Sequence, residues 1–303
     1  MDIKYQIDYK IKLAQDFQAQ GKPLHALQIY ETIINETQDC ADAYFGMADL
    51  YEQMGNIEPA IELMKEFLES DPENKTVRLF LGQYLLRNSR WEETVDVLNF
   101  IVPEEEPVVL FFMGYAHFML NEFELARLNF INFISKADQS ELFHESHIYL
   151  AKTEIKLSNY EQALTYAKKA ELMYSNYWEL SAIYADIYYN LGMNAHAVSP
   201  IEKAIKLNPN EPSIYELAGK IYFKLGDFIK AERNFLKHID ASSDTSADAY
   251  TELAQACLQG NKAKDALVYF DLALKIDPEN KYALEGKKSA YNIVKNKMQT
   301  DEI

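Results

Sequence analysis

Apolar residues along this chain recur at i, i+3, i+4 and i+7 and do not alternate, which predicts helices. Residues 41–74 show the pattern in full. Tyr44, Met47, Ala48 and Tyr51 fall on one face of a first helix, and Ala60, Met64 and Phe67 on one face of a second. Gly55 stands between them, where a left-handed residue ends a helix at least cost to glycine. Pro72 stops the second helix, as Pro209 and Pro278 stop later ones, because proline has no N–H to donate.

The two-helix unit repeats eight times. Each turn residue is followed five positions later by a second, small marker, alanine in seven cases and threonine in one: Gly21 with Ala26, Gly55 with Ala60, Ser89 with Thr94, Asn121 with Ala126, Ser158 with Ala163, Gly192 with Ala197, Gly226 with Ala231 and Asn261 with Ala266. Successive spacings are 34, 34, 32, 37, 34, 34 and 35 residues. Seven residues before each turn stands another small residue: Ala14, Ala48, Gly82, Gly114, Ala151, Ala185, Gly219 and Ala254. Small residues at these places let paired helices approach closely.

Three places depart from the pattern. Pro103 and Pro107 bracket the acidic run Glu104–Glu106, so the second helix of the third unit must end early. An insertion, residues 136–143, lengthens the junction between the fourth and fifth units. Pro200 falls inside a second helix, where a missing backbone donor is expected to kink or loosen it.

The segments ADAYFGMADLYEQMGNIEPAIELMKEFLESDPEN (41–74) and EPSIYELAGKIYFKLGDFIKAERNFLKHID (211–240) resemble the tetratricopeptide repeat, whose period is about 34 residues. The resemblance runs over about residues 7–280, with repeats at about 7–40, 41–74, 75–106, 107–143, 144–177, 178–211, 212–246 and 247–280. Residues 281–298 read as a capping helix whose Lys287, Lys288, Lys295 and Lys297 suit a solvated end, followed by a tail, 299–303. The implied fold is all-α: one right-handed α-solenoid superhelix of eight helix-turn-helix repeats, with the first helix of each repeat lining a concave groove.

Composition narrows the function. A formal charge of −17 argues against nucleic acid as a partner, because phosphates repel an acidic surface. Pro107–Leu120 is the most apolar run, but it is shorter than a membrane span and contains His117. The N-terminus has no apolar signal-peptide core. Cys40 and Cys257 show no metal-ligand spacing and fit free thiols in a reducing, cytoplasmic setting. No phosphate-binding glycine loop, dinucleotide fingerprint or nucleophile elbow occurs in the sequence. His144 and His147 are one helical turn apart, with no evident third ligand for a metal. No cofactor and no catalytic activity are expected.

With the first helices lining the groove, periodicity selects the inward side chains. They are Phe45 and Asp49 in the second repeat, Leu79 and Gln83 in the third, and Phe111, Tyr115, Phe118 and Met119 in the fourth. Lys152 follows in the fifth, Asp186 and Tyr189 in the sixth, and Lys220 and Phe223 in the seventh. The fourth repeat stands out, since Leu110, Met113, Gly114, His117, Phe123, Ala126 and Phe130 already supply its helix-pair core. Its second apolar stripe is either an interaction site or is buried by a tilt that the short third repeat imposes. The basic and asparagine clamp by which some arrays of this family hold chaperone C-termini is absent, since Ile11, Gln15, Phe45 and Asp49 occupy those positions.

The expected function is that of a non-catalytic scaffold or adaptor, holding a protein or peptide segment with basic and apolar residues. A peptide-regulated receptor that changes superhelical pitch, and a homo-oligomeric structural protein, are the alternatives.

Overall fold

The computed structural model describes residues 3–37, 39–137, 141–242 and 246–300. Among them are seventeen α-helices and no strand. The chain divides into two compact units, Met1–Ser146 and His147–Ile303. In the first unit the helices pair as α1 (Ile3–Ala19) with α2 (Pro23–Glu36), α3 (Ala41–Gln53) with α4 (Ile57–Ser70), α5 (Lys75–Arg87) with α6 (Trp91–Leu98), and α7 (Val108–Met119) with α8 (Phe123–Lys136). The division falls within α9 (Glu141–Lys156). The second unit continues with α10 (Tyr160–Tyr174), then pairs α11 (Trp178–Asn190) with α12 (Asn194–Leu207), α13 (Pro212–Lys224) with α14 (Phe228–Ala241), and α15 (Ala247–Gln259) with α16 (Ala263–Ile276). Its last helix, α17 (Lys281–Thr300), packs on α16 and α15. In each unit first helices also touch across repeats, α1 with α3 and α5 with α7 in one, α11 with α13 in the other.

The eight turns share one geometry. Gly21, Gly55, Gly192 and Gly226 have φ between 70 and 78°, and Ser89, Asn121, Ser158 and Asn261 have φ between 60 and 63°. The next residue donates its N–H to the carbonyl five back, as Asn56 does to Tyr51 at 2.8 Å and Arg90 to Leu85 at 2.9 Å. This closes the first helix in a Schellman motif, satisfying carbonyls that would otherwise lack donors. In the fourth repeat a side chain reinforces the turn: His117 Nδ1 lies 2.6 Å from the Glu122 carboxylate. In the fifth, the Asn159 amide donates to Glu154 at 2.8 Å.

The marker residues at the helix crossings are where the spacing put them. Ala26, Ala60, Thr94, Ala126, Ala163, Ala197, Ala231 and Ala266 are all fully buried. A Cβ on Gly82 would lie 2.4 Å from Leu98 Cδ2, and one on Gly114 2.9 Å from the Phe130 ring. Those glycines are required by a ring or branched side chain that the second helix sets over them.

The irregular joints have distinct outcomes. α6 is only eight residues long, as the flanking prolines require, and buried Ile101 packs with Leu98 and Val109 beyond its end. Residues 138–140 of the insertion lie outside the described residues, as do 301–303 of the tail. α12 runs unbroken through Pro200 from Asn194 to Leu207, with Ala197, Ile201 and Ala204 buried. Lys287 of the cap pairs with Asp271 at 2.6 Å, and Lys288 and Lys295 are exposed.

Candidate binding groove

Register fixes which side chains each first helix turns away from its paired helix. With the turn residue as origin, positions −10, −6 and −3 lie beside the core row at −7 without belonging to it. Most of these side chains are half-buried.

In the N-terminal unit, Phe45 stacks on Phe80 with ring centroids 4.4 Å apart. Burial holds the Asp49 carboxyl above its ordinary pKa, against the opposing charge of Arg87. Arg87 in turn pairs with Glu52 at 3.2 Å. Gln83 is half-buried, and Leu79 packs on the Leu98–Ile101–Val109 cluster.

The apolar stripe of α7 is mostly covered by its own unit. Phe111, placed in a stripe that was either an interaction site or buried, is 5% exposed and packs on Phe130 and Phe133 at 5.9 and 5.7 Å. The reason is angular. Phe111 stands about 60° around the helix from Gly114, close enough for its ring to reach over the α7–α8 contact and fill space beside two large rings of α8. Tyr115 meets Trp91 of α6 edge-on at 5.7 Å, and Phe118 meets Phe123 edge-on at 5.7 Å. Met119 is the stripe's exposed member.

The C-terminal unit presents a charged ladder. Lys152 of α9 pairs with Glu179 of α11. Asp186 accepts from the Asn190 amide at 2.7 Å. Burial raises its pKa, with Lys156, Asn190 and Lys220 opposing. On α13, Lys220 engages Glu216 one turn earlier and reaches Glu252 of α15 at 3.3 Å. Burial by itself would lower the Lys220 ammonium, but its two carboxylate partners outweigh burial and hold it above its usual value. Glu252 is raised, first by burial and further by Glu216.

Two adjoining hollows open along this ladder. One, of about 180 Å³, brings together Tyr189, Lys220, Phe223 and Lys224 with Glu252 and Gln255. The other, of about 450 Å³, lies between α13, α15 and α17, with Glu216, Lys220, Asp248, Glu252 and Tyr282 among its walls. Three of the expected residues, Tyr189, Lys220 and Phe223, thus share one hollow. Asp248, Glu252, Gln255 and Tyr282 were not singled out in the sequence. Extending the −10, −6 and −3 row one repeat further reaches, of these four, Gln255 alone; Glu252 and Asp248 stand at −9 and −13, off that row, and Tyr282 needed the docked position of α17.

His144 lies edge-on to Phe143 at 5.4 Å, and buried His147 lies 6.1 Å from the Tyr166 ring. No described helix is long and apolar enough to cross a membrane, and Pro107–Leu120 forms the cap and body of α7.

Paired helices closed by one recurrent turn, with a row of first-helix side chains left over, define an all-α helical-repeat protein. The chain belongs to the tetratricopeptide repeat family, whose models match residues 17–72, 180–211 and 216–281, together about half of its length. It is 22% identical over 317 residues to DnaJ homolog subfamily C member 3 of Gallus gallus, covering 99% of this chain and 58% of that protein. It is 20% identical over 280 residues to a TPR repeat-containing protein of Methanocaldococcus jannaschii, covering 86% and 46%. The chain therefore spans about half the length of these curated relatives. Among solved structures, that of the APC/C hetero-tetramer Cut9-Hcn1 aligns with a TM-score of 0.65 at 16% identity, over 88% of this chain and 52% of that one. That likeness shows the helical-repeat fold. Repeats of this family are in general protein–protein interaction scaffolds.

Proposed function

We propose that the protein is a non-catalytic scaffold that holds an extended segment of a partner protein along the inner faces of its first helices. The observation that supports this most is the meeting of Tyr189, Lys220 and Phe223, from two successive first helices, at one open hollow completed by Glu252 and Gln255 of a third. Aromatic rings beside fixed charges can anchor a segment and set its register. The walls are helices held by packed cores, so little order has to be gained on binding. The N-terminal unit offers Phe45, Asp49 and Gln83 in the same row. The two free thiols, Cys40 and buried Cys257, agree with work in the reducing cytoplasm.

The test is selection of a phage-displayed random dodecapeptide library on the full chain, followed by titration of the enriched peptides. Tyr189→Ala combined with Phe223→Ala is expected to weaken binding about tenfold or more, roughly 1.4 kcal/mol, while the melting temperature falls only slightly. Enrichment of no peptide, or binding indifferent to the double variant, overturns the proposal.

A further inference from the structure

Resting on the groove reading above, we propose that the hollow between α13, α15 and α17 receives a cationic side chain, so that the partner segment carries an arginine or lysine next to an apolar residue. The charge count of the hollow is unbalanced. Glu216, Asp248 and Glu252 supply three carboxylates, and Lys220 supplies one ammonium. Lys220 is already shared between Glu216 and Glu252. Asp248 accepts from the neutral amide of Asn280 at 2.9 Å, which positions the carboxylate without neutralising it. His238, on the same wall, donates from Nδ1 to the Pro212 carbonyl oxygen at 3.0 Å.

Desolvation makes this imbalance matter. A carboxylate removed from water gains more from a cation than one on an open surface does, and Glu252 is raised by burial despite its contact with Lys220. A partner's acidic residue would face three carboxylates here, on a chain whose net charge is −17. A bare metal ion fits poorly, because among the described residues no group of three or more acidic, histidine or cysteine side chains is drawn together around one point. A long side chain ending in a spread cation fits the roughly 450 Å³ of space. Exposed Tyr282 at the lip gives that cation an aromatic face. The adjoining hollow shares Lys220 and Glu252 and adds Tyr189 and Phe223, so an apolar residue next to the basic one meets the rings.

The dodecapeptide selection reads this directly. Enriched peptides are expected to pair an arginine or lysine with an adjacent aromatic or aliphatic residue. Replacing that basic residue by glutamine in the peptide should weaken binding to the wild-type protein about tenfold, which needs no protein variant. Asp248→Asn with Glu252→Gln should erase the preference for the basic peptide over its glutamine form while circular dichroism stays unchanged. Peptides lost on Tyr189→Ala with Phe223→Ala, yet binding equally well with glutamine in place of the basic residue, overturn this inference and leave the groove reading standing. Enrichment of no peptide overturns both.

Discussion

α7 and α13 are first helices of the same design with opposite fates. Each ends in the same turn, and each carries a phenylalanine three residues before it that meets a second ring edge-on, Phe118 with Phe123 and Phe223 with Phe228. α7 is by far the more apolar, VVLFFMGYAHFM against PSIYELAGKIYFK. Yet α7 spends its surplus rings inside its own unit, on Phe130, Phe133 and Trp91. α13 keeps Glu216, Lys220, Phe223 and Lys224 on the walls of open hollows. In α7 the surplus rings are thus spent chiefly on its paired helix α8, whereas in α13 interleaved charges and rings line open hollows.

The largest expected effect tests the first half of that contrast. Phe111→Ala removes a ring enclosed by Phe130 and Phe133 and should cost about 3–5 kcal/mol of stability in urea unfolding. Phe223→Ala, at a half-buried ring lining a hollow, should cost less than half as much. Equal losses would erase the distinction between the two helices.

A smaller effect tests the second half through pH. Asp186 has its folded pKa raised, chiefly by burial. The folded state therefore keeps this proton to higher pH than the unfolded chain, whose aspartates titrate near about 4. Stability must fall as pH rises from that ordinary value through the raised folded one, and the penalty is absent below the window. Asp186→Asn removes the titration. The variant's urea midpoint should decline less than the wild type's across that window. Parallel profiles would show that burial at this wall carries no electrostatic cost.

Much of the fold could be read in the sequence because its rules are local. A left-handed residue closing a helix, and a small residue five positions on, need no knowledge of distant chain. All eight turns have positive φ, and all eight markers at +5 are buried. The early end of α6 followed from Pro103 and Pro107 for the same reason. For Phe111 the sequence left burial and an interaction site both open, because the choice depends on the size of rings on another helix. Pro200 was expected to kink or loosen α12; the helix continues through it from Asn194 to Leu207, with Ile201 buried. The inward row could be listed from the sequence, but where it meets a hollow depends on packing between repeats. Asp248 and Tyr282 become neighbours only because α17 docks on α15.

The smallest effect comes from the turns themselves. Beside α7 the left-handed positions are Ser89 and Asn121, whereas the turns ending α11 and α13 are Gly192 and Gly226. A side chain in this conformation crowds its carbonyl and costs roughly 1–2 kcal/mol, with asparagine better tolerated than most. The turns at Ser89 and Asn121 therefore carry a strain that those ending α11 and α13 lack, whereas α15, a wall of both hollows, ends on a non-glycine, Asn261. Ser89→Gly should stabilise the N-terminal unit by about 1 kcal/mol, less the entropy that glycine restores to the unfolded chain. Gly226→Ser should destabilise the C-terminal unit by a similar amount. Asn121→Gly should give the smallest gain, since its side chain already suits the conformation. Thermal melts of the three variants check the order. A Ser89→Gly protein no more stable than wild type would mean that unfolded-state entropy cancels the relief, and the two helices would then differ in packing alone.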